Sequence, residues 1–314
     1  MIVAVWIPLL MPLLAVPAAR RLAESLPPRA AAWLLTGCAV VLAGCTTAAL
    51  GLLLTAGALR LPPVAALDHL SLPLPAGDPA ASVPAAGAAA CLLGAVALAV
   101  VHRARRHHTE LRTARLATDA HPTSGDLCVL PDAAPDAYAL PGRPGRVVVT
   151  AGMLRALPPD EREALFAHER AHLAGRHHLF LLTAALAAVC HPLLRSLRAP
   201  LAYALERWAD ETAATRVGDR RVTARAIGRA ALAARPGAAG AHRPGTVLAA
   251  TTGPVPRRVA ALLAPEQASA PSLRAAVHGR RLIAAALLAC VTFSAASALD
   301  AATDLHETVE SAGR

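Results

Sequence analysis

The sequence predicts a mainly α-helical, polytopic membrane protein whose extramembrane domain carries a small β-sheet. Three observations carry this. Of 314 residues, 55% are hydrophobic, mean hydropathy is +0.45, and the apolar residues arrive in blocks. Between the third and fourth blocks the pattern turns polar and helical, with histidines and acids at helical spacing. Strand-type sequence is confined to residues 126–150.

From the N-terminus, the first block is Ile2 to Val16. It is short and holds Pro8 and Pro12. With no basic residue before it and Arg20 and Arg21 behind it, it does not read as a cleavable signal. Ala31 to Leu59 and Ala85 to Val101 follow, and Leu282 to Leu299 comes last, against the roughly 17–25 residues that a bilayer core requires. Every basic residue counted as Lys or Arg is arginine, and the arginines mark membrane borders. Arg20, Arg21 and Arg29 lie between the first two blocks, Arg103, Arg105, Arg106, Arg112 and Arg115 follow the third, and Arg274, Arg280 and Arg281 precede the fourth. The segment from Arg60 to Pro84 sets one arginine against Asp68 and Asp78, and the tail after Leu299 is mostly acidic. By the positive-inside rule the N-terminus is outside, the region between blocks three and four is cytoplasmic, and the C-terminus is outside. The expected organisation is a multi-pass cell-membrane protein with three membrane helices in 1–101 (about 2–16, 31–59 and 85–101). A cytoplasmic domain over 102–281, a fourth membrane helix at 282–299 and a short extracytoplasmic tail, 300–314, complete it.

Within the cytoplasmic region, Asp126 to Leu130, Ala137 to Leu140 and Arg146 to Thr150 are strand candidates, with Pro141-Gly142-Arg143-Pro144-Gly145 as a turn signal. The exposed edge of such a sheet can hold an extended peptide by main-chain hydrogen bonds; a stabilising hairpin is the alternative. Leu157-Pro158-Pro159-Asp160-Glu161 reads as a helix start, since proline suits the first turn and acids favour the positive end of the dipole. That helix is expected from about Pro159 to His178. The apolar run Phe180 to Leu194 comes next, then a second helical segment with Glu206-Arg207-Trp208-Ala209-Asp210-Glu211. Arg216 to Ala234 is helical and mixed, and Arg235 to Gly240 opens a flexible stretch.

The first of these helices contains Ala167-His168-Glu169-Arg170-Ala171-His172, an HExxH run. On a helix this spacing sets two imidazoles on one stripe, so one ion can take a nitrogen from each at roughly 2.0–2.1 Å. Glu169 sits about 100° round the helix, where a carboxylate reaches the ion's water rather than the ion and can act as general base. With 13 histidines and 10 glutamates in the chain, chance alone gives such a run in on the order of one sequence in fifty. The pattern is the minimal kit of a zinc hydrolase. A third protein ligand is needed, with the fourth position kept for water. Glu206 is the candidate, Asp210 one turn on is the candidate acceptor for the outer N–H of a ligand histidine, and Glu211 is the fallback ligand. The competing reading of these three acids is a solvated helix face.

One ion shared by His168, His172 and Glu206 constrains the topology. A single membrane crossing by Phe180–Leu194 would strand Glu206 on the opposite side, and two crossings need about 40 residues where positions 172 and 206 differ by 34. The run is expected to dip in and return, lie along the membrane surface, or pack within the domain.

Nucleic-acid binding is not indicated by the net charge of +10. The arginines sit where anionic lipid heads are, and only 3% of residues are aromatic. Cys38, Cys45, Cys91, Cys128, Cys190 and Cys290 form no CxxC pair and mark neither a disulfide framework nor a thiolate zinc site. His107, His108, His177, His178, His191 and His278 read as interfacial or solvated, while Arg207, His177 and His178 are within reach of an oxyanion.

The run from Arg146 to Gly152, with Leu157 to Glu161, Ala167 to His172 and Glu206 to Asp210, resembles the integral-membrane zinc metallopeptidases of the BlaR/MecR sensor-transducer type, related to the HtpX and CAAX-prenyl-protease group. The resemblance is specific from about Leu127 to Asp219. It implies a zincin-like cytoplasmic metallopeptidase domain in which His168, His172 and Glu206 bind one Zn2+ ion, Glu169 activates water and Asp210 supports the site. It also implies a membrane-tethered endopeptidase acting on a cytoplasmic or membrane-proximal protein, such as a DNA-binding transcriptional repressor. Val255-Pro256-Arg257-Arg258-Val259 resembles a later family segment faintly and is assigned no role. Antibiotic-sensing members carry a large extracellular domain after the last span, where only Asp300 to Arg314 follow here, so direct recognition of a β-lactam is not expected. Two rivals are a non-catalytic membrane transducer braced by a structural zinc site and a quality-control protease for membrane proteins.

Overall fold

The computed structural model describes residues 2–59, 79–234 and 254–264, together with 283–285, 287–293, 295–297, 299 and 303. Helices dominate, with one four-stranded mixed sheet. The stretch 235–240 and nearly all of the acidic tail lie outside the described residues, and the fourth apolar block lies only partly within them, as helical residues between Ile283 and Ser297.

The first apolar block, expected as one helix over 2–16, is two: α1 (Ile2–Leu10) and α2 (Pro12–Glu24), divided at Met11. Pro12 brings no N–H to the helical ladder and its ring excludes the preceding turn, but it is well placed as the first residue of a new helix. At 9 and 13 residues neither piece reaches across a bilayer core. α3 (Pro28–Ala58), at 31 residues, is about 46 Å long, and α4 (Pro79–Asp119), at 41, about 61 Å. Both exceed the roughly 30 Å of hydrocarbon. They pack along each other with Gly57 against Ser82 and Ala86, where a Cβ on residue 57 would overlap the Ser82 carbonyl. The apolar window of α3 is 44% buried and that of α4 11%, which makes α3 the centre of the apolar bundle and α4 its rim. α4 does not stop at the expected border near residue 101. It runs on through the arginine-rich segment and delivers Leu111 and Ala114 to the sheet.

Strands β1 (Thr123–Ser124), β2 (Leu127–Leu130), β3 (Ala137–Leu140) and β4 (Arg146–Thr150) lie in the order β1-β2-β4-β3. β2 and β4 are parallel, and β3 and β4 form an antiparallel hairpin across residues 141–145. Side chains alternate between two covered faces. Cys128, Tyr138, Leu140 and Val148 pack with Leu111 and Ala114 of α4, whereas Ala137 and Val149 pack with Met153, Leu157 and Leu165. Cover on both faces is why Val147-Val148-Val149 is an unbroken apolar run.

The hydroxyl of Thr150 caps α5 (Ala151–Ala156) by accepting the Met153 N–H at 3.2 Å. α6 (Pro159–Ala174) starts as expected, with Asp160 and Glu161 in its first turn, but ends four residues before His178. Gly175 and Arg176, the latter left-handed at φ 50° and ψ 42°, turn the chain, and α7 (His177–Cys190) leaves at 54°. Phe180, Ala184, Ala187 and Ala188 of α7 share one apolar core with Ala31, Leu35, Cys38 and Leu42 of α3. A 3-10 turn, Pro192–Leu197, then reverses the chain into α8 (Arg198–Val217). Phe180–Leu194 thus runs out along α3 and the chain comes back, which returns Glu206 to the histidines' side. α9 (Arg220–Ala233), capped by Asp219, and α10 (Val255–Leu263) pack together around Ile227 and Leu262.

Candidate metal centre

α6 and α8 pack against each other and bury their polar residues at the contact. His168, Glu169, His172, Glu206 and Asp210 are each between 0% and 4% exposed, so the solvated-face reading of Glu206 and Asp210 does not hold. The i, i+4 spacing brings Nε2 of His168 to 3.0 Å from Nε2 of His172. Glu206 Oε2 lies 3.4 Å from His168 Nε2, and Oε1 lies 3.8 Å from His172 Nε2. Tetrahedral donors around zinc, each bonded at about 2.1 Å, stand about 3.4 Å apart. The three separations bracket that value, and the donor atoms all fall within 4.8 Å of one another.

Both imidazoles are held from behind. His168 Nδ1 lies 3.0 Å from Asp210 Oδ1, and His172 Nδ1 lies 2.7 Å from Nδ1 of His177. His177, expected among the interfacial histidines, is 1% exposed. The turn at Gly175 and Arg176 folds its ring back over α6, against Gly175, where a Cβ would overlap the imidazole. A glycine ending the HExxH helix two residues before a histidine was the only sequence signal for this. Replacing His177 with Phe preserves a ring beside Trp208, 4.6 Å between centroids, but removes the nitrogen. The expected result is a zinc affinity about 10–100-fold weaker in competition with a chelating dye, and an unchanged affinity would remove His177 from this role.

Sequence reasoning missed Arg258. Fully buried, it is placed by α10 so that Nη1 forms an ion pair with Glu206, 2.7 Å from Oε2, while Nη2 and Nε donate to the Asp210 carboxylate at 2.6 and 2.8 Å. Its neighbour Arg257 is exposed and lies over the Tyr203 ring, so nothing local distinguishes the two. With neutral imidazoles, the carboxylates of Glu169, Glu206 and Asp210 against one guanidinium leave the pocket at −2, which a single divalent cation cancels. The field shows in the titrating groups. Burial opposes a charged His168, but Asp210 and Glu206 outweigh it and lift its pKa to about 9. Burial likewise raises Asp210, yet Arg258 and His168 outweigh it and hold the carboxyl below its usual range.

Glu211, the fallback ligand, is elsewhere. It accepts from Arg207 Nη2 and Arg220 Nη2, each at 3.1 Å, on the part-exposed face of α8. That contact engages Arg207, one of the residues placed within reach of an oxyanion. His177 stands behind His172, and His178 lines a different cavity. His191 is half-buried beside the Leu9 carbonyl, and His278 lies outside the described residues.

The site lies inside residues 102–266, more than half of the chain, which match the model of Peptidase family M48. The match begins within α4, takes in the sheet and ends just past α10, so Arg258 is included. No curated protein and no solved structure matches the chain. Peptidases of this family are zinc-dependent, and the paired imidazoles with a facing carboxylate in a pocket of net negative charge fit a divalent ion. On the extent of that match, and with this cluster at its centre, the chain belongs to peptidase family M48.

Proposed function

We propose that the chain is a membrane-tethered zinc endopeptidase in which His168, His172 and Glu206 hold one Zn2+ ion and Glu169 moves the proton. The observation that carries this reading is the meeting of two imidazole nitrogens and a carboxylate, their donor atoms within 4.8 Å of one another, inside a buried pocket of net negative charge. Zinc, when bound, supplies Lewis acidity, acidifying water and polarising the scissile carbonyl. Glu169 takes a proton onto its carboxylate as water attacks and delivers it to the leaving amine. Asp210 accepts the Nδ1–H of His168, which keeps Nε2 free for the ion, and His177 orients His172 in the same way. Arg258 fixes the Glu206 carboxylate and balances Asp210. β3, the outer strand of the sheet, packs beside α6 with all four of its residues buried, so the exposed edge expected for an extended substrate is not open on this strand.

The arginine distribution supports a cytoplasmic domain over 102–281; with α3 and α4 as the helices able to span ahead of it, two crossings put the N-terminus on the same cytoplasmic side rather than outside as three would. The likeness to BlaR/MecR-type transducers supports regulated proteolysis of a cytoplasmic protein, with a DNA-binding repressor as the candidate substrate. Membrane lipid is the surrounding partner, with no direct contact to nucleic acid.

Metal stoichiometry tests the ligand set. Wild-type protein in detergent is expected to hold one zinc per chain, and Glu206→Ala to lose it on dialysis. Tight zinc retained by that variant would take Glu206 out of the set.

A further inference from the structure

The geometry points to a binding site for a phosphate-class oxyanion in the cavity between α4, the β3–β4 loop and the turn from α6 to α7, served by Arg115, Arg143 and Arg176. The cavity, about 630 Å³, is lined by these three arginines and by His178, with Pro141, Gly142, Gly145, Leu173 and Leu179, and by no carboxylate. That volume holds a phosphate together with the group that bears it.

Arg115 is held in place, and Arg143 and Arg176 line the cavity as exposed side chains. Arg115 donates from Nη2 to the Pro144 carbonyl at 2.7 Å, and its guanidinium lies on Gly142, in space that any Cβ at residue 142 would fill. Several arginines of the domain find acids, Arg146 with Asp119, Arg170 with Asp126, Arg220 with Glu211 and Arg258 with Asp210, while others such as Arg162 and Arg257 meet a carbonyl or a ring. Among the described residues neither Arg143 nor Arg176 pairs with a carboxylate. Arg176 also occupies the left-handed region, at φ 50° and ψ 42°, which glycine or asparagine adopts more readily. A strained backbone that presents an unneutralised cation to a cavity with two others calls for an anion. The planar guanidinium fork matches phosphate oxygens in pairs.

Position narrows the source. α4 carries its apolar window, then Arg103, Arg105 and Arg106, and His107 of the same helix lies close enough to His178 to act on its charge. The His178 end of the cavity therefore faces the membrane border, with Arg115 about 12 Å further along α4 than His107, and the ligand is either a phospholipid headgroup or free phosphate.

The test uses full-length protein in detergent, probed by native mass spectrometry and calorimetry with phosphatidylglycerol in one arm and inorganic phosphate in the other. Wild type is expected to bind one copy of either probe, and the tighter arm names the source. The double variant Arg143→Gln/Arg176→Gly should bind at least tenfold more weakly with zinc content unchanged. Glycine accepts the left-handed turn, so that variant is expected to fold. Arg105→Gln, on the exposed face of α4, should stay within twofold of wild type. Equal binding by wild type and double variant, or no binding in either arm, would overturn the proposal. So would a double variant whose only defect is a raised KM for peptides with acidic side chains, which would assign the cavity to a substrate carboxylate.

Discussion

Glu169→Gln is expected to keep one zinc per chain and to lose peptide hydrolysis by about 10²–10⁴-fold in kcat, the span that a positioned general base contributes. Its carboxylate is fully buried and neighbours His168 on α6, so it shares the pocket of the ligand group without standing on the imidazole stripe. Glutamine has the same shape and can donate or accept a hydrogen bond, but it cannot take up the proton of an attacking water. Metal retention therefore separates loss of chemistry from loss of the site. The measurement is cleavage of a fluorogenic peptide beside zinc analysis of the same preparation. Turnover at the wild-type rate with zinc bound would transfer the proton to another group. Clients trapped on this variant in cells distinguish the substrate readings, since a DNA-binding protein supports regulated proteolysis and an accumulation of membrane proteins supports quality control.

For Arg258→Met the expected outcome is a fold destabilised by about 3–5 kcal/mol, with hydrolysis lost alongside. The guanidinium is the buried cation that bridges Glu206 and Asp210, through three contacts between 2.6 and 2.8 Å. Methionine fills much of the same volume, so the loss is electrostatic rather than a cavity. Two buried carboxylates then face each other with fewer donors, and Glu206 is freed to turn away from the histidines. Arg258→Lys keeps the charge but not the fork, and should fall between the two. Thermal denaturation of zinc-loaded and chelated protein reads the effect, which is larger in the chelated form because a divalent ion offsets part of the lost positive charge. A change under about 1 kcal/mol in the chelated form, the worth of an exposed ion pair, would show that Arg258 does not hold the site together.

What the sequence determined by itself is whatever depends on spacing within one element. His168 and His172 meet because residues four apart on a helix are neighbours, and Glu206 and Asp210 share a face for the same reason. Three of the four strands were legible, β4 in its valine run and the β3–β4 hairpin in its Pro-Gly turn, whereas the two-residue β1 was not, and α3 and α4 were legible in their apolar length. Tertiary structure decided everything that joins one element to another. Arg258 and Arg257 are adjacent and chemically identical, and only the docking of α10 on α8 buries one against Asp210, 48 residues away, and leaves the other on the surface. His177 and His178 divide in the same way, one behind His172 and one in the arginine-lined cavity, because the chain turns at Gly175 and Arg176 instead of continuing the helix. Glu211 carries the same charge as Glu206 but points to Arg207 and Arg220. Helical periodicity is a local property of the backbone and is written in the order of residues. Which buried charge meets which is settled by long-range packing, where the low dielectric makes each pairing strong and the sequence leaves no period to read.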